Sequence, residues 1–133
     1  MAQVVRVVQS SPGIWHAIPH LTAEMEKVSL GRFLAEDMYD LIIKGVFQFW
    51  TLWDNDTKIT GAILTEIVQY PRRTVLAIPF VAGVGLYQYP VAVQTLEVFG
   101  RKHGCQEMEG WGKKGWGKVL GWDVPYYGLR KVL

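Results

Sequence analysis

The spacing of apolar residues changes period several times along the chain, and each change predicts an element. Val4 through Val8 is a β-branched run that predicts a strand, and Ser10, Ser11, Pro12 and Gly13 stop it. Trp15, Ile18, Leu21 and Met25 then recur at helical spacing, which predicts a short turn and a helix with Pro19 near its start. Ser29 is the predicted N-cap of a further helix, with Leu34, Met38, Leu41 and Ile42 as its buried stripe and Gly45 as its stop. From Phe47 the period falls to two. Phe47, Phe49, Thr51 and Trp53 share one face of a strand, Asp54 to Thr57 carries turn chemistry, and a return strand from Ile59 to about Gln69 sets Leu64, Glu66 and Val68 on one side.

After the turn at Tyr70 to Arg73 the alternation disappears. Val75 to Phe80 is almost wholly apolar, as a strand covered on both faces must be. Gly83 and Gly85 follow, then a helix starting near Pro90 with Ala92, Leu96 and Phe99 along one face and Gly104 at its end. Cys105 opens another strand, through Glu109. The unit from Thr74 to Gln106 therefore reads as strand, helix and parallel strand, with the glycine loop at the carboxyl end of the first strand, where anions commonly bind. Gly112 to Gly121 reads as a glycine-rich loop with a short helix, and Tyr126 to Leu133 as a last strand. The fold class expected is α+β, one domain over residues 1–133, with a mixed sheet and helices on both faces.

Composition adds three points. Half of the 133 residues are apolar or aromatic, enough for one core. The single cysteine, Cys105, excludes an internal disulfide framework and reads as a small buried hydrophobe in a reducing compartment. No apolar run reaches the roughly 20 residues needed to span a bilayer, so a cytoplasmic protein without a membrane partner is expected. Charge is uneven: residues 1–99 carry seven Lys/Arg against nine Asp/Glu, and residues 100–133 carry seven against three. Arg101, Lys102, Lys113, Lys114 and Lys118, interleaved with Trp111 and Trp116, suit a phosphate-bearing ligand or nucleic acid, and suit a solvated basic face equally well.

The order β-α-α-β-β-β-α-β-α-β resembles the GNAT N-acetyltransferase fold over nearly the whole chain. The best local match is C-terminal: Lys102 to Cys105, a short strand, Lys113 to Trp116, the pair Gly121-Trp122, and a closing strand to Leu133. The pattern is most similar to the small, divergent GNAT-like proteins of tailed bacteriophages.

The resemblance implies acetyl-CoA as cofactor and an amine as acceptor. It implies a cofactor site of Ile78, Phe80, Val81, Gly83, Val84 and Gly85, with Gly83 and Gly85 matching the two glycines of the family's pyrophosphate loop. Phe80 departs from that pattern, standing where the family has a basic or amide residue. Counting back from Gly121 sets Gly117 at the place of the family's acid tyrosine, and residues 110 to 118 hold no asparagine. Tyr126 is therefore the substitute acid, with Tyr127 beside it, and Glu66 is the candidate base, since partial burial would raise its pKa.

His16 and His20, one turn apart, lack a third ligand, so no metal is expected. His103 is expected to interact with the C-terminus of its helix. The departures motivate a second reading: an inactive phage GNAT-like protein serving in the virion or its assembly, with protein partners or as a homo-oligomer, in the host cytoplasm or the particle. Nucleic-acid binding is a third, minor reading.

Overall fold

The computed structural model describes residues 5–54, 57–85, 88–111, 117, 120–125 and 128–133. Five strands form one sheet in the order β1-β2-β3-β4-β5: Val5–Gln9, Phe47–Asp54, Lys58–Gln69, Thr74–Ala82 and Glu107–Gly110. The first four pair antiparallel, and β4 pairs parallel with β5, as the meander leading into a strand-helix-strand unit predicts. A 3-10 helix, Pro12–Ala17, and the helices α1 (Pro19–Val28) and α2 (Ala35–Ile43) fall between β1 and β2, while α3 (Tyr89–Lys102) connects β4 to β5.

The sheet has a core on each face. On one, Leu21 and Met25 of α1 and Met38 and Ile42 of α2 pack on Phe47, Phe49, Ala62, Leu64 and Phe80. On the other, Ala92 and Leu96 of α3 pack on Trp50, Leu52, Ile63 and Leu76. Central β3 consequently buries five residues in succession, Gly61 to Thr65. Buried tryptophan N–H groups are satisfied locally: Trp15 donates to the Ala35 carbonyl at 3.1 Å, and Trp50 to Thr65 Oγ1 at 3.0 Å.

Two irregularities shape the sheet. Leu52 pairs with Gly61 but Trp53 with Ile59, so Thr60 is an extra residue on β3. Leu64 pairs with Phe80 but Glu66 with Ala77, so Ile78 and Pro79 together face Thr65. The second bulge explains how a proline sits in a strand with neighbours on both sides, since proline cannot donate to a regular ladder.

Three expectations are corrected. Ser29 does not start α2; its hydroxyl donates to the Glu26 carbonyl at 2.7 Å at the end of α1. The start of α2 is Leu34, whose N–H donates to the Asp37 carboxylate at 2.8 Å, a geometry available to any backbone and invisible in a search for Ser or Thr. Leu34 accordingly is exposed and lies outside the stripe. The predicted last strand is also absent from residues 128–133, which belong to no helix or strand; Tyr126 and Tyr127 lie outside the described residues. Gly117 and Leu120 are helical, where a short helix was expected; residues 118 and 119 between them lie outside the described residues. Among the described residues no helix is long and apolar enough to cross a membrane.

Gly83 is exposed yet closely approached by β3 and α1, with φ at 70°. A Cβ there would run into the Thr60 carbonyl and lie 2.7 Å from Leu21 Cδ2. Gly83→Ala is expected to destabilise the fold by about 2–4 kcal/mol through backbone strain and overpacking. Gly13→Ala, with nothing within 4 Å of the added methyl group, is expected to be close to neutral. Urea unfolding of both variants beside the parent checks the contrast.

Candidate functional site

The loop between β4 and α3 is held from inside by Gln88. This residue is 1% exposed. Its Oε1 accepts the Gly85 N–H at 2.8 Å, its Nε2 donates to Thr60 Oγ1 at 2.8 Å, and its own N–H donates to the Gly85 carbonyl at 2.9 Å. The bulge at Thr60 turns that hydroxyl toward the loop, so one irregularity in β3 fixes the entry into α3. Each glycine thus has a local role: Gly83 permits close approach to β3 and α1, and the Gly85 amide is bonded to a side chain of its own loop. A phosphate oxygen could take the Gly85 N–H only by displacing Gln88. Sequence reasoning passed over Gln88, because a glutamine before a helix carries no special capping signal.

The remaining residues of the expected cofactor site divide by face. Phe80 is buried against Phe33 and Phe47, with ring centroids 5.4 and 6.4 Å away. Ile78, Val81 and Val84 pack into the core under α3. These three are only partly buried. Among the described residues the β4–β5 ladder ends at Ile78 and Gly110, while β4 continues to Ala82. The Gly83–Gly85 loop follows the end of β4.

Glu66 borders this region from β3. Its strand partners are Phe47 and Ala77, and Ala77 in turn pairs with Glu109 of β5. Phe47, Glu66, Ala77 and Glu109 therefore form a row across four strands, on the face that carries α1 and α2. With strands about 4.8 Å apart, the Cα atoms of the two glutamates are about 10 Å from each other, with only a methyl group between them. Burial among these apolar neighbours raises the Glu66 pKa above its ordinary 4.5. Glu109 was read in the sequence only as a strand residue; its place beside Glu66 depends on parallel pairing across the α3 crossover.

Tyr126 lies outside the described residues, as do Tyr127, Lys113, Lys114, Trp116 and Lys118. At Gly117, the place of the family's tyrosine, an added Cβ would strike the side chain of Val124. Tyr89, at the start of α3, has its phenol pKa raised by burial and by the nearby Glu24 carboxylate, so it stays protonated at neutral pH. His16 and His20 are exposed, and the His16 ring leans on Tyr39 with centroids 4.4 Å apart. His103 lies at the end of α3 as expected, its Nδ1 2.9 Å from the Phe99 carbonyl. Cys105 packs under α3, and burial pushes its thiol pKa up, which disfavours the reactive thiolate. Arg101 forms an exposed pair with Glu97 at 3.7 Å. Among the described residues no group of three His, Cys, Asp or Glu is arranged to hold a metal ion.

A groove of about 480 Å³ opens at the other end of the sheet, between Ser10, Phe47, Ile67, Phe99 and His103. It is about the length of α3, roughly 20 Å, from the glycine loop, and it is lined by Lys102 and His103 but not by Glu66 or the expected cofactor-binding residues.

No protein-family model and no curated protein matches the chain. Solved structures do. A tetramutant of a Bacillus halodurans protein superposes with a TM-score of 0.76 at 10% identity, over 96% of this chain and 99% of that one. A possible acetyltransferase from Clostridium difficile gives 0.70 at 11% identity, over 98% of each chain. An aminoglycoside acetyltransferase from an uncultured soil metagenomic sample, solved with sisomicin, gives 0.69 at 14% identity, over 97% of this chain and 96% of that one. With the sheet order and the two-sided helix cover, these likenesses establish that the chain has the α+β fold of GNAT-type acetyltransferases over nearly its whole length.

Proposed function

We propose that this protein transfers an acetyl group from acetyl-CoA to an amine, with Glu66 as general base. The observation that carries the proposal is the half-buried Glu66 carboxylate, its pKa raised by desolvation, in register with Ala77 next to the end of the described β4–β5 ladder. The likeness in fold to acetyltransferases supports the reaction class.

In this reading the donor supplies an acyl thioester lying along β4 past Ile78. Amides of β4 beyond Pro79 polarise the thioester carbonyl; Pro79 itself has no N–H to offer. Glu66 takes one proton from the ammonium to free the amine, the amine attacks the carbonyl carbon, a C–N bond forms as the C–S bond breaks, and the second nitrogen proton passes to the departing thiolate. Much of the acceleration comes from holding the reactants together. The row from Phe47 to Glu109, with a carboxylate on each side of Ala77, favours a cationic acceptor such as an alkylammonium, which Glu66 then deprotonates.

A second reading has its own observation. The Gly85 N–H is already bonded to buried Gln88. A loop satisfied by its own side chain suits a scaffold that no longer binds acetyl-CoA, such as the virion or assembly component suggested by the phage-like pattern.

Calorimetric titration with acetyl-CoA, with CoA as control, separates the two: saturable micromolar binding is expected for the transferase, and none at millimolar ligand for the scaffold. If binding is seen, Glu66→Gln is expected to keep it and to lower amine acetylation by about 100-fold or more, the usual contribution of a general base. Because Glu66 must be ionised to act, and its pKa is raised, kcat/KM should climb with pH through a limb above pH 4.5 and level off beyond it. That limb should vanish in Glu66→Gln. Unchanged turnover in the variant would remove Glu66 from the mechanism.

Gln88→Ala is expected to destabilise the fold by about 1–3 kcal/mol, because it strips buried partners from Thr60 and Gly85. On the transferase reading the freed Gly85 amide should also tighten acetyl-CoA binding. Thermal unfolding with and without ligand reads both effects.

A further inference from the structure

We infer that the groove at the start of β2 is a binding site in its own right, for a small carboxylic acid with a flat apolar body. The groove arises because β1 is short. Its pairing with β2 runs only from Asp54 to Trp50, the Ser10 N–H then reaches the Phe49 carbonyl at 2.8 Å, and the chain enters the 3-10 helix at Pro12. Phe47 and Gln48, at the start of β2, therefore lie beyond the end of β1. The space beside them, about 480 Å³, is lined also by Ile67 of β3 and by Phe99, Lys102 and His103 at the end of α3. Sites for small organic ligands commonly measure about 300 to 1,000 Å³. Rings make up much of the wall. Phe99 stands edge-on to Trp50 with centroids 5.0 Å apart, and the His103 ring lies over Phe99 with centroids 4.1 Å apart and planes 31° apart.

Hydrogen bonding selects the ligand's head. Trp50 Nε1 donates to Thr65 Oγ1 at 3.0 Å, and the buried Thr65 hydroxyl donates in turn to Gln48 Oε1 at 2.9 Å. That relay decides which end of the Gln48 amide is engaged: its oxygen is taken, and among the described residues its Nε2 has no acceptor. Lys102 adds an ammonium, and none of the groove's described lining residues is an Asp or Glu. Two N–H donors and a cation on one groove call for acceptor oxygens that carry negative charge, since hydrogen bonds of that kind are the strong ones. The end of α3 does not oppose an anion as a bare helix C-terminus would, because the Phe99 and Gly100 carbonyls already accept the N–H groups of His103 and Cys105. With a single ammonium in the lining, a singly charged carboxylate matches better than a phosphate dianion. The ring walls suit a flat body behind that head.

Calorimetric titration of the full chain with 2-naphthoate is expected to show one saturable site with a Kd of about 10–500 µM, the range open to a ligand of that size. The neutral analogue 2-naphthylmethanol keeps the rings and should bind at least about tenfold more weakly. Gln48→Glu keeps the oxygen that Thr65 needs and replaces the donors by a second oxygen, while Lys102→Glu reverses the charge on an exposed side chain. Both variants should fold, as thermal unfolding beside the parent checks, and each should weaken 2-naphthoate at least about tenfold. Neither should alter the acetyl-CoA titration, so this site stands or falls apart from the transferase reading. Absence of saturable 2-naphthoate binding at millimolar ligand overturns the proposal, as does binding that both variants leave unchanged. Displacement of 2-naphthoate by an equal concentration of inorganic phosphate would overturn the assignment to a carboxylate.

Discussion

Burial of β3 on both faces is the constraint on which the rest of the structure depends. A strand with Ala62 and Leu64 under α1 and α2, and Ile63 under α3, needs helices on both sides and strands on both edges. The same strand supplies the one break in regularity that the loop requires. The extra residue at Thr60 sends its hydroxyl to Gln88 and its carbonyl toward Gly83, so the start of α3 is fastened to the middle of the sheet. Replacing Gly83 or Gln88 would therefore strain β3, the loop and α3 together.

β4 carries the second break. Pro79 cannot donate to a ladder, and the chain responds with a bulge that sets Ile78 and Pro79 against Thr65. Among the described residues, pairing with β5 ends beside this bulge. Glu66 lies close to the end of that pairing, where burial raises its pKa, and in the loop after β4 the Gly85 amide is held by Gln88.

Most of the fold was legible in the residues. The period of two from Phe47, the apolar run at Val75 to Phe80 and the helical stripe Ala92, Leu96 and Phe99 each describe how one element meets water, and each element formed as expected. The misreadings fell where a partner distant in sequence decides. Ser29 has the chemistry of an N-cap but finds its acceptor in the helix before it. Residues 128–133 of the expected closing strand have the composition of a strand, and they belong to none.

The candidate site was less legible than the fold. Glu66 could be singled out because a carboxylate flanked by Leu64 and Val68 in a strand of period two contradicts its surroundings. Its neighbour Glu109 could not, since no local pattern records the register of a parallel pair joined by a 14-residue helix. Gln88 was likewise hidden, because its role rests on a bulge residue 28 positions away. Sequence by itself determined which residues leave water and with what period, because hydrophobic burial acts on each side chain where it stands. Tertiary structure alone decided which polar groups meet, because hydrogen bonds and charge pairs act over a few ångströms and need both partners in place.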